Sequence, residues 1–473
     1  MQGSAAPSDT LVPLSGDWVG EVLLAGPDDE ACLDLGGPVD RGTLRALVDQ
    51  RRRGYADAGL RPGGTVALRL PPSLTYVAAL LAAWASGAQV SLLDHRLTQA
   101  EVDRALDRVG AELLVEPTSV TGSRMRAWFD VDATLTRRPE GRPAGTDHVL
   151  VQFSSGSSGP SKVIARTAAD LRDELDRYSR LDGFPRRGAR VVLLASMVHV
   201  LGLVGGLLHG LHAGVRLTLP DRLTADGVLA AVAAASEPTT VLGVPFHAEL
   251  LTAAAEPPAL PQLSRMIVAG ELVRPHVPPR FADRFGVPLA TMYGMTEVGV
   301  IATDLDGTLW PSVAPVHGMR LRVEAGELAV ARHASPYLGL SDPTRWADGW
   351  LRTRDAARLD PETGLVTVLG RLDSQVSVGG LKVDLTEVEQ TLAGLPGVTE
   401  AVVVFDGAIE AYLALSDEST VDTVTAALAR ELAPYKRPRR LHVLPALRRT
   451  ATGKIVRDSA ALHAAADSRK ASA

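Results

Sequence analysis

The sequence is almost without cysteine and carries no excess of positive charge. Cys32 is the single cysteine among 473 residues, which excludes a disulfide framework and a metal site made of several thiolates. The formal net charge of −6 excludes the basic surface that general nucleic-acid binding requires. These absences predict a protein of a reducing compartment, which we take to be the cytoplasm, with no nucleic-acid partner.

Aromatic residues and uninterrupted apolar runs are also scarce. Aromatic residues make up 4% of the chain, so we expect helices that pack mainly through aliphatic side chains. Of the two most apolar stretches, residues 80–93 are too few to cross a bilayer, and residues 191–219 contain three histidines and Arg216. We predict buried core elements at both places and no membrane span.

Apolar segments of strand length alternate with segments of helical periodicity. Helices are predicted at 43–60, 73–86 and 98–109, and strands at 66–70 and 90–93. Alternation of this kind predicts an α/β fold with a doubly wound parallel sheet. A second alternating region, a more β-rich region and a smaller α+β unit follow, at 148–312, up to 369, and after 370.

A loop rich in serine and glycine follows an apolar run at 149–151. Its glycines allow a tight backbone, and its N–H groups together with a lysine are suited to holding phosphates. The glycines are too close together for a Walker motif. Taken alone, the stretch is explained at least as well by a flexible loop. The loop consists of Ser154, Ser155, Gly156, Ser157, Ser158, Gly159, Pro160, Ser161 and Lys162.

Polar residues follow apolar strand-like segments at several later positions. Tyr293 offers a flat face for a base, Thr296 a hydroxyl for a phosphate, and Glu297 an oxygen ligand for Mg²⁺. Asp355 is placed to accept hydrogen bonds from a ribose diol, and Lys454 follows a flexible glycine. Each of these residues alone also has an ordinary explanation as part of a turn or a solvated loop.

The order and spacing of these segments resemble the adenylate-forming superfamily, which includes acyl- and aryl-CoA ligases, adenylation domains of nonribosomal peptide synthetases, and firefly luciferase. The resemblance extends from about residue 43 to residue 457. The matching motifs are Ser-Ser-Gly-Ser-Ser-Gly-Pro-Ser-Lys-Val at 154–163, Tyr-Gly-Met-Thr-Glu at 293–297, Thr-Arg-Asp at 353–355, Gly-Arg-Leu-Asp at 370–373 and Gly-Lys at 453–454. The chain departs from the usual motifs at Ser161, Val163 and Arg354, where proline, glycine and glycine are common.

This resemblance implies a fold of two parts. Residues 1–370 are expected to form a large N-terminal domain of doubly wound sheets with a β-rich subdomain. A hinge at 371–373, centred on Asp373, is expected to join it to a small, mobile α+β C-terminal domain at 374–463. Residues 464–473 are expected to be a disordered tail.

The resemblance also implies roles in binding ATP and Mg²⁺. The loop at 154–162 is expected to hold the β- and γ-phosphates. Further expected contacts are Glu271, Tyr293 and Gly294 at the adenine side, Asp355 and Arg371 at the ribose, Thr296 at the α-phosphate, Glu297 at Mg²⁺, and Lys454 between the substrate carboxylate and the α-phosphate.

The acid substrate is predicted to lack a free α-amino group. Residues 196–202 contain no carboxylate, and an unpaired ammonium in an apolar pocket is costly. His199 is either a catalytic or pocket residue that gates the thiol tunnel, or a satisfied buried histidine. The expected pocket residues are His199, Phe246, His247, Ala269, Gly270 and Met295.

Two thiol acceptors remain open at this point. The main interpretation is an AMP-forming acid–thiol ligase that makes an acyl-adenylate and then an acyl-CoA. The alternative is a stand-alone adenylation enzyme that loads the acyl group onto the phosphopantetheine of an acyl carrier protein. A non-catalytic nucleotide-binding protein is a third and more remote interpretation.

Overall fold

The computed structural model describes residues 14–120, 126–154, 162–255, 258–372, 374–416, 420–447, 457, 459, 462–464 and 466. Their strands form three sheets in the N-terminal part and two smaller sheets in the C-terminal part.

The helices alternate with the strands along most of the chain. They are α1 (Arg41–Asp57), α2 (Leu74–Ala85), α3 (Gln99–Val109), α4 (Ala168–Arg180), α5 (His209–Ala213), α6 (Ala225–Ala233), α7 (Pro245–Thr252), α8 (Val277–Phe285), α9 (Leu385–Ala393) and α10 (Val421–Glu431), with π-helical segments at Val19–Leu23 and Leu201–Leu208 and a 3₁₀ turn at Pro434–Lys436.

The strands of the first two sheets come from the first two thirds of the chain. They are β1 (Ala31–Asp34), β2 (Pro38–Asp40), β3 (Thr65–Leu68), β4 (Gln89–Leu92), β5 (Leu113–Pro117), β6 (Ala133–Arg137), β7 (His148–Ser154), β8 (Lys162–Thr167), β9 (Arg190–Leu193), β10 (Arg216–Thr218), β11 (Thr239–Gly243), β12 (Leu263–Ala269), β13 (Leu289–Met295), β14 (Gly299–Asp304) and β15 (Ala314–Pro315).

The remaining strands belong to the β-rich region and the small domain. They are β16 (Leu321–Glu324), β17 (Glu327–Ala331), β18 (Trp346–Ala347), β19 (Trp350–Leu359), β20 (Val366–Arg371), β21 (Gln375–Val378), β22 (Leu381–Asp384), β23 (Val398–Phe405), β24 (Ile409–Leu415) and β25 (Arg440–Val443).

The first sheet has the strand order β6-β5-β3-β4-β7-β8. Strands β5, β3, β4 and β7 are parallel, and β6 and β8 pair antiparallel at the two edges. Val66 and Leu68 of β3 belong to the core that contains α2, whereas Ala67 packs with Val102 and Leu106 of α3. Helices thus cover both faces, which explains why β3 is buried along its whole length. The predicted doubly wound parallel sheet is confirmed.

The second sheet has nine strands in the order β15-β14-β13-β12-β11-β9-β10-β1-β2. Its five central strands are parallel. Val191 and Leu193 of β9 face the core shared with the first sheet, and Val192 faces the core built by α6, α7 and α8. Both stretches that are rich in apolar residues, 80–93 and 191–219, are therefore core elements, as predicted. Each helix among the described residues is too short or too polar to cross a bilayer.

Local sequence signals set the helix ends. The Thr98 side chain accepts a hydrogen bond from the backbone N–H of Glu101, and the Glu101 carboxylate accepts one from the backbone N–H of Thr98, which makes a capping box at the start of α3. Gly110 ends this helix in the left-handed conformation with φ of 65°. These signals explain why the sequence predicts the bounds of α3 closely.

The β-rich region is a five-stranded antiparallel sheet, in which β16-β17-β19-β18 are neighbours and β20 pairs with β19. The small domain consists of the hairpin β21-β22 and the three-stranded sheet β23-β24-β25, with α9 and α10 packed on it. The α/β fold with a large N-terminal part, a β-rich subdomain and a small α+β part agrees with the prediction. The predicted hinge falls between β20 and β21, and Asp373 lies outside the described residues, as does the predicted tail except for Ala464 and Ala466.

Candidate active site

A cavity of about 1310 Å³ lies between the large domain and the small domain. The carboxyl ends of the parallel strands β9, β11, β12 and β13 open into it, which is where α/β sheets bind ligands. A cavity for one small ligand usually has about 300–1000 Å³, so this one has room for a nucleotide and a second molecule. Its lining includes the predicted site residues Lys162, His199, Ala269, Gly270, Glu271, Tyr293, Gly294, Met295, Thr296, Glu297, Asp355 and Arg371.

The predicted phosphate loop connects two antiparallel strands. Ser154 at the end of β7 pairs with Lys162 at the start of β8, so both ends of the predicted loop are fixed at the edge of the first sheet. The loop residues Ser155, Gly156, Ser157, Ser158 and Gly159 lie outside the described residues. Lys162 lines the cavity, with its Nζ 5.9 Å from the centre of the Tyr337 ring.

Asp355 is held by two residues that the sequence assigned to the nucleotide. Tyr293 Oη donates a hydrogen bond of 2.6 Å to Oδ2 of Asp355, and Arg371 donates one of 3.1 Å to Oδ1. The strand pairing of β19 with β20 sets Asp355 directly opposite Arg371. Burial raises the pKa of Asp355, while Arg371 and Tyr293 act in the opposite direction. A carboxylate fixed in this way at a cavity wall is suited to the hydroxyls of a ribose.

Arg354 precedes this carboxylate in a left-handed conformation with φ of 62°. This is the position at which the resembling enzymes commonly have glycine, and the backbone keeps the conformation that glycine favours. Arg354 donates hydrogen bonds of 3.0 Å to the backbone and side-chain oxygens of Thr344, and its N–H bonds to Glu327. These contacts compensate for the backbone strain of about 1–3 kcal/mol expected of such a residue.

Glu297 lies in the turn between β13 and β14 and is 9% exposed. Its Oε1 accepts a hydrogen bond of 3.0 Å from Tyr337 Oη. No group of three or more His, Cys, Asp or Glu side chains in the described part of the chain is arranged to hold a metal ion. Mg²⁺ is commonly bound by one carboxylate together with substrate phosphates and water, so a single buried carboxylate beside Lys162 fits this ion.

The part of the cavity between the π-helical segment and β13 is suited to a carboxylic acid with an apolar body. Leu201 and Gly202 of the π-helical segment line it from one side, and Met292 and Val300 from the other. Tyr178 closes it, with Oη 3.6 Å from Sδ of Met292 and about 2.8 Å from where a side chain at Gly205 would begin. No Asp or Glu occurs among the lining residues 195–202, so an ammonium group would lack a partner there.

His199 also lines the cavity, as predicted. Its Nε2 is buried and has no hydrogen-bond partner among the described residues. Desolvation lowers the pKa of His199, so the imidazole is neutral at neutral pH. Nε2 of His199 thus lacks, among the described residues, the hydrogen bond expected of a satisfied core histidine, and its role at the cavity remains a prediction.

Two predicted pocket residues do not line the cavity. His247 accepts a hydrogen bond of 3.1 Å from the backbone N–H of Val244 through Nδ1 and so caps α7. Phe246 is 52% exposed. The prediction that both are pocket walls is corrected, because the cavity is lined by Val244 but by neither Phe246 nor His247.

The small domain closes the cavity with the turn of its β21-β22 hairpin. Gly380 N donates a hydrogen bond of 2.8 Å to Oε1 of Glu271, and Lys382 Nζ bonds to the carbonyl oxygen of Gly270. In this arrangement the Glu271 carboxylate binds the small domain. Its predicted contact with adenine remains a prediction. Lys454, the predicted catalytic lysine, lies outside the described residues.

Sequence reasoning missed three residues of this site. Tyr337 and Tyr178 are far from every motif, and Glu174 is buried on α4 behind β14. Glu174 forms an ion pair of 2.5 Å with Arg166, which lies eight positions earlier in the chain. The only sequence signal for Glu174 is its charge within the apolar face of an amphipathic helix.

Comparisons with known proteins agree with this geometry. Residues 25–330 match the AMP-binding enzyme family, and residues 387–454 match its C-terminal domain. A 4-hydroxybenzoate–CoA/benzoate–CoA ligase of Rhodopseudomonas palustris is 30% identical over 361 residues, which are 68% of this chain and 66% of that protein, or about two thirds of each. A feruloyl-CoA synthase of an Amycolatopsis species is 27% identical over 93% of this chain and 97% of that protein.

The fold also matches a solved structure. The o-succinylbenzoate CoA synthetase of Bacillus subtilis, a double mutant bound with its product analogue, superposes with a TM-score of 0.80 at 23% identity and covers 94% of this chain and 98% of that one. At this identity the likeness concerns the fold. The family matches span well over half of the sequence, and the chain therefore belongs to the AMP-binding enzyme family, in agreement with the adenylate-forming enzymes that its motifs resemble.

Proposed function

We propose that this protein activates an aromatic carboxylic acid with ATP and transfers the acyl group to the thiol of CoA. In the first step a carboxylate oxygen attacks the α-phosphorus of ATP, the bond to the pyrophosphate oxygen breaks, and acyl-adenylate and pyrophosphate form. In the second step a thiolate attacks the acyl carbon, the bond to the AMP oxygen breaks, and AMP leaves. The main support for this proposal is that Lys162, Glu297 and Asp355 line one cavity. The same cavity contains a pocket lined by uncharged side chains.

Nucleotide binding is assigned to the wall formed by Asp355 and Arg371. Both carboxylate oxygens of Asp355 already accept hydrogen bonds, one from Tyr293 and one from Arg371, so the group keeps one orientation. Each oxygen has a second lone pair that a ribose hydroxyl can use. A fixed ribose places the α-phosphate near Thr296, where positioning contributes most to the rate of a bimolecular reaction.

A second set of residues is assigned to the negatively charged phosphates of ATP. Lys162 and the loop before it are assigned to the β- and γ-phosphates, and Glu297 is assigned to Mg²⁺. When bound, the metal neutralises phosphate charge as the pyrophosphate leaves. Lys454 is assigned to the bridge between the acid and the α-phosphate on the basis of the motif at 453–454.

The acid pocket supports an aromatic substrate. The pocket lies between Gly202 of the π-helical segment and Met292 of β13. Tyr178 limits its depth. The two curated relatives carry benzoate, 4-hydroxybenzoate and ferulate in their names, which points to acids with a ring. His199 lies at the side of this pocket and is proposed to contact the substrate or the thiol channel.

CoA is favoured as the acceptor by cationic residues at the cavity rim. Arg104 and Arg108 of α3 line the cavity and are exposed to solvent, and Arg104 also forms an ion pair of 3.1 Å with Glu431 of the small domain. Exposed cations that line the cavity suit the phosphates of a nucleotide. Loading of an acyl carrier protein remains the alternative, because the reacting thiol is the same.

Exchange of labelled pyrophosphate into ATP tests the first step. The purified protein with ATP, Mg²⁺ and a series of aromatic and aliphatic acids is expected to exchange label with aromatic acids, and Lys454→Ala is expected to abolish the exchange. Thioester formation with CoA and with a phosphopantetheine-loaded carrier protein then separates the two acceptors. Exchange with aliphatic acids alone would contradict the proposed substrate class, and ATP binding without exchange for any acid would favour the non-catalytic interpretation.

A further inference from the structure

Tyr337 connects the strand after the phosphate loop to the carboxylate assigned to Mg²⁺. It is 7% exposed and donates its hydrogen bond of 3.0 Å to Oε1 of Glu297. On the other side, Lys162 Nζ lies 5.9 Å from the centre of its ring, within the range of a cation–π contact. One side chain thus contacts both charged groups at the phosphate end of the cavity.

The backbone around Tyr337 is fixed on β8. Ala165 N donates a hydrogen bond of 2.8 Å to the carbonyl of Pro336, and Leu338 N donates one of 2.9 Å to the carbonyl of Val163. Tyr337 itself pairs with Ile164 in an antiparallel bridge. The segment behaves as a short extra strand at the outer edge of β8, so any displacement of β8 moves the Tyr337 hydroxyl.

A second connection leads from β8 to β14, the strand that follows the Glu297 turn. Val300 N donates a hydrogen bond of 3.1 Å to Oε1 of Glu174, and Arg166 of β8 binds Oε2 of the same carboxylate at 2.5 Å. Both side chains of this ion pair are almost fully buried. The segment that carries Glu297 is therefore connected to β8 twice, at Glu297 itself through Tyr337 and at Val300 of β14 through Glu174.

We propose that Tyr337 is a positioning residue that ties the Glu297 carboxylate to β8 and fixes it in the orientation in which it meets the metal. The proposal rests on the proposed function, because it takes Glu297 as the metal ligand. Tyr337 donates its hydrogen bond to Oε1 of Glu297, and the proposal assigns Oε2 to the cation.

Physical chemistry supports a permanent donor at this place. Burial and the neighbouring Glu297 raise the pKa of Tyr337 above its usual value, so the phenol is protonated and can donate at neutral pH. A hydrogen bond to a charged group is stronger than one between neutral groups. A carboxylate without this donor can rotate, and rotation weakens its contact with a metal that demands near-ideal geometry.

Binding of Mn²⁺ in the presence of a non-hydrolysable ATP analogue tests the proposal directly. Mn²⁺ replaces Mg²⁺ at oxygen sites, and its electron paramagnetic resonance signal reports the bound fraction without any turnover. Tyr337→Phe keeps the ring beside Lys162 and removes only the hydroxyl, so we expect an affinity for Mn²⁺ that falls on the order of tenfold. Tyr55→Phe is the matched control, because Tyr55 is also buried and donates one hydrogen bond, of 3.1 Å, to the carbonyl of Ala79.

The two half-reactions provide a second readout. Pyrophosphate exchange by Tyr337→Phe is expected to need more Mg²⁺ but to approach the wild-type rate when Mg²⁺ is saturating. Formation of thioester from preformed acyl-adenylate, in which no pyrophosphate takes part, is expected to stay close to the wild-type rate. A general loss of structure would instead lower both half-reactions at every metal concentration.

Three results would contradict either the role of Tyr337 or the assignment of Glu297 to the metal, and the three results can be distinguished from one another. Wild-type affinity for Mn²⁺ in Tyr337→Phe would show that the hydroxyl does not position Glu297. An equal loss of affinity in Tyr55→Phe would show a general effect of removing a buried hydroxyl. Wild-type affinity in Glu297→Gln would remove Glu297 from the metal site, and the inference about Tyr337 would fail with it while acid activation itself stays testable by exchange.

Discussion

The hydroxyl of Tyr293 donates a hydrogen bond of 2.6 Å to Asp355, although the two residues are 62 positions apart. Tyr293 belongs to the nine-stranded sheet and Asp355 to the β-rich sheet, so this bond joins the two at the cavity wall. Asp355 is 6% exposed, and Arg371 occupies its second oxygen. The wall that we assign to the nucleotide is therefore formed where the two sheets meet.

Asp355→Asn is expected to raise the KM for ATP by about tenfold or more, because a neutral amide oxygen accepts from Arg371 more weakly than a carboxylate does and cannot form charge-assisted bonds to a ribose. The KM for the acid is expected to change little. Steady-state kinetics with each substrate varied in turn measures the split. Asp360→Asn, at an exposed carboxylate, is the control and should match the wild type. Equal changes in both KM values for Asp355→Asn would argue against a ribose contact.

Lys436→Gln is expected to slow thioester formation while adenylation continues. Nζ of Lys436 lies 2.9 Å from Glu101 of the large domain and 2.8 Å from Glu387 of the small domain, and the lysine side chain is 11% exposed. Removing the cation leaves two buried carboxylates close together, which costs about 3 kcal/mol when such a network is broken. The contact between the two domains in this arrangement is then weakened.

Separate assays of pyrophosphate exchange and of thioester formation from acyl-adenylate measure this effect. Arg186→Gln, which removes an exposed ion pair with Asp182, is the matched control and should leave both rates unchanged. A loss of exchange equal to the loss of thioester formation in Lys436→Gln would show that the lysine stabilises the fold in general.

Gly299→Ala is expected to lower the free energy of unfolding by about 3 kcal/mol or more and to abolish activity. Gly299 has φ of 89°, and a Cβ atom there would lie 2.1 Å from Cδ of the buried Glu174. Gly318→Ala separates the two causes, because Gly318 has φ of 80° but open space around it. Chemical denaturation should show a cost near 1 kcal/mol for Gly318→Ala, which is the backbone effect alone. Equal costs for the two variants would exclude the steric effect.

Acid is expected to destabilise the protein through two buried histidines. Burial lowers the pKa of His209 and of His247 from 6.5 to about 4. Between these values the unfolded chain binds protons that the folded protein does not, so this part of the stability is complete above pH 6.5 and is lost as the pH falls toward 4. From pH 7 to pH 5 each histidine should cost about 2 kcal/mol.

His209→Gln tests this pH dependence. His209 Nε2 lies 2.8 Å from the carbonyl of Pro185, so the neutral ring donates there and a glutamine amide is able to donate in its place. Urea denaturation at pH 7 and pH 5 should show a smaller loss of stability on acidification in the variant than in the wild type. The same loss in both proteins would contradict the assignment of the effect to His209.

The sequence predicts the parts of this fold that depend on local signals. The doubly wound sheet follows from alternating apolar segments, and α3 is bounded by the cap at Thr98 and by Gly110. The residues of the site that follow strands, such as Tyr293 and Glu297, are also found, because parallel strands end at one edge of a sheet. These inferences need only the order of residues along the chain.

Contacts between distant segments are beyond local signals. Tyr337 approaches Glu297 only because residues 336–338 pair with β8, and nothing near Tyr337 in the sequence marks it as part of a site. The error at Phe246 and His247 has a similar origin. Whether the first turn of a helix contributes to a cavity depends on how the helix packs, and in α7 the ring of His247 is used to accept a hydrogen bond from Val244 N.

Product analysis tests the central claim most directly. The purified protein, incubated with ATP, Mg²⁺, CoA and benzoate or 4-hydroxybenzoate, is expected to form AMP, pyrophosphate and acyl-CoA in equal amounts, with acyl-adenylate accumulating when CoA is omitted. Asp355→Asn should lower all products together at limiting ATP. Formation of ADP and phosphate, or of AMP without a requirement for any acid, would contradict the account.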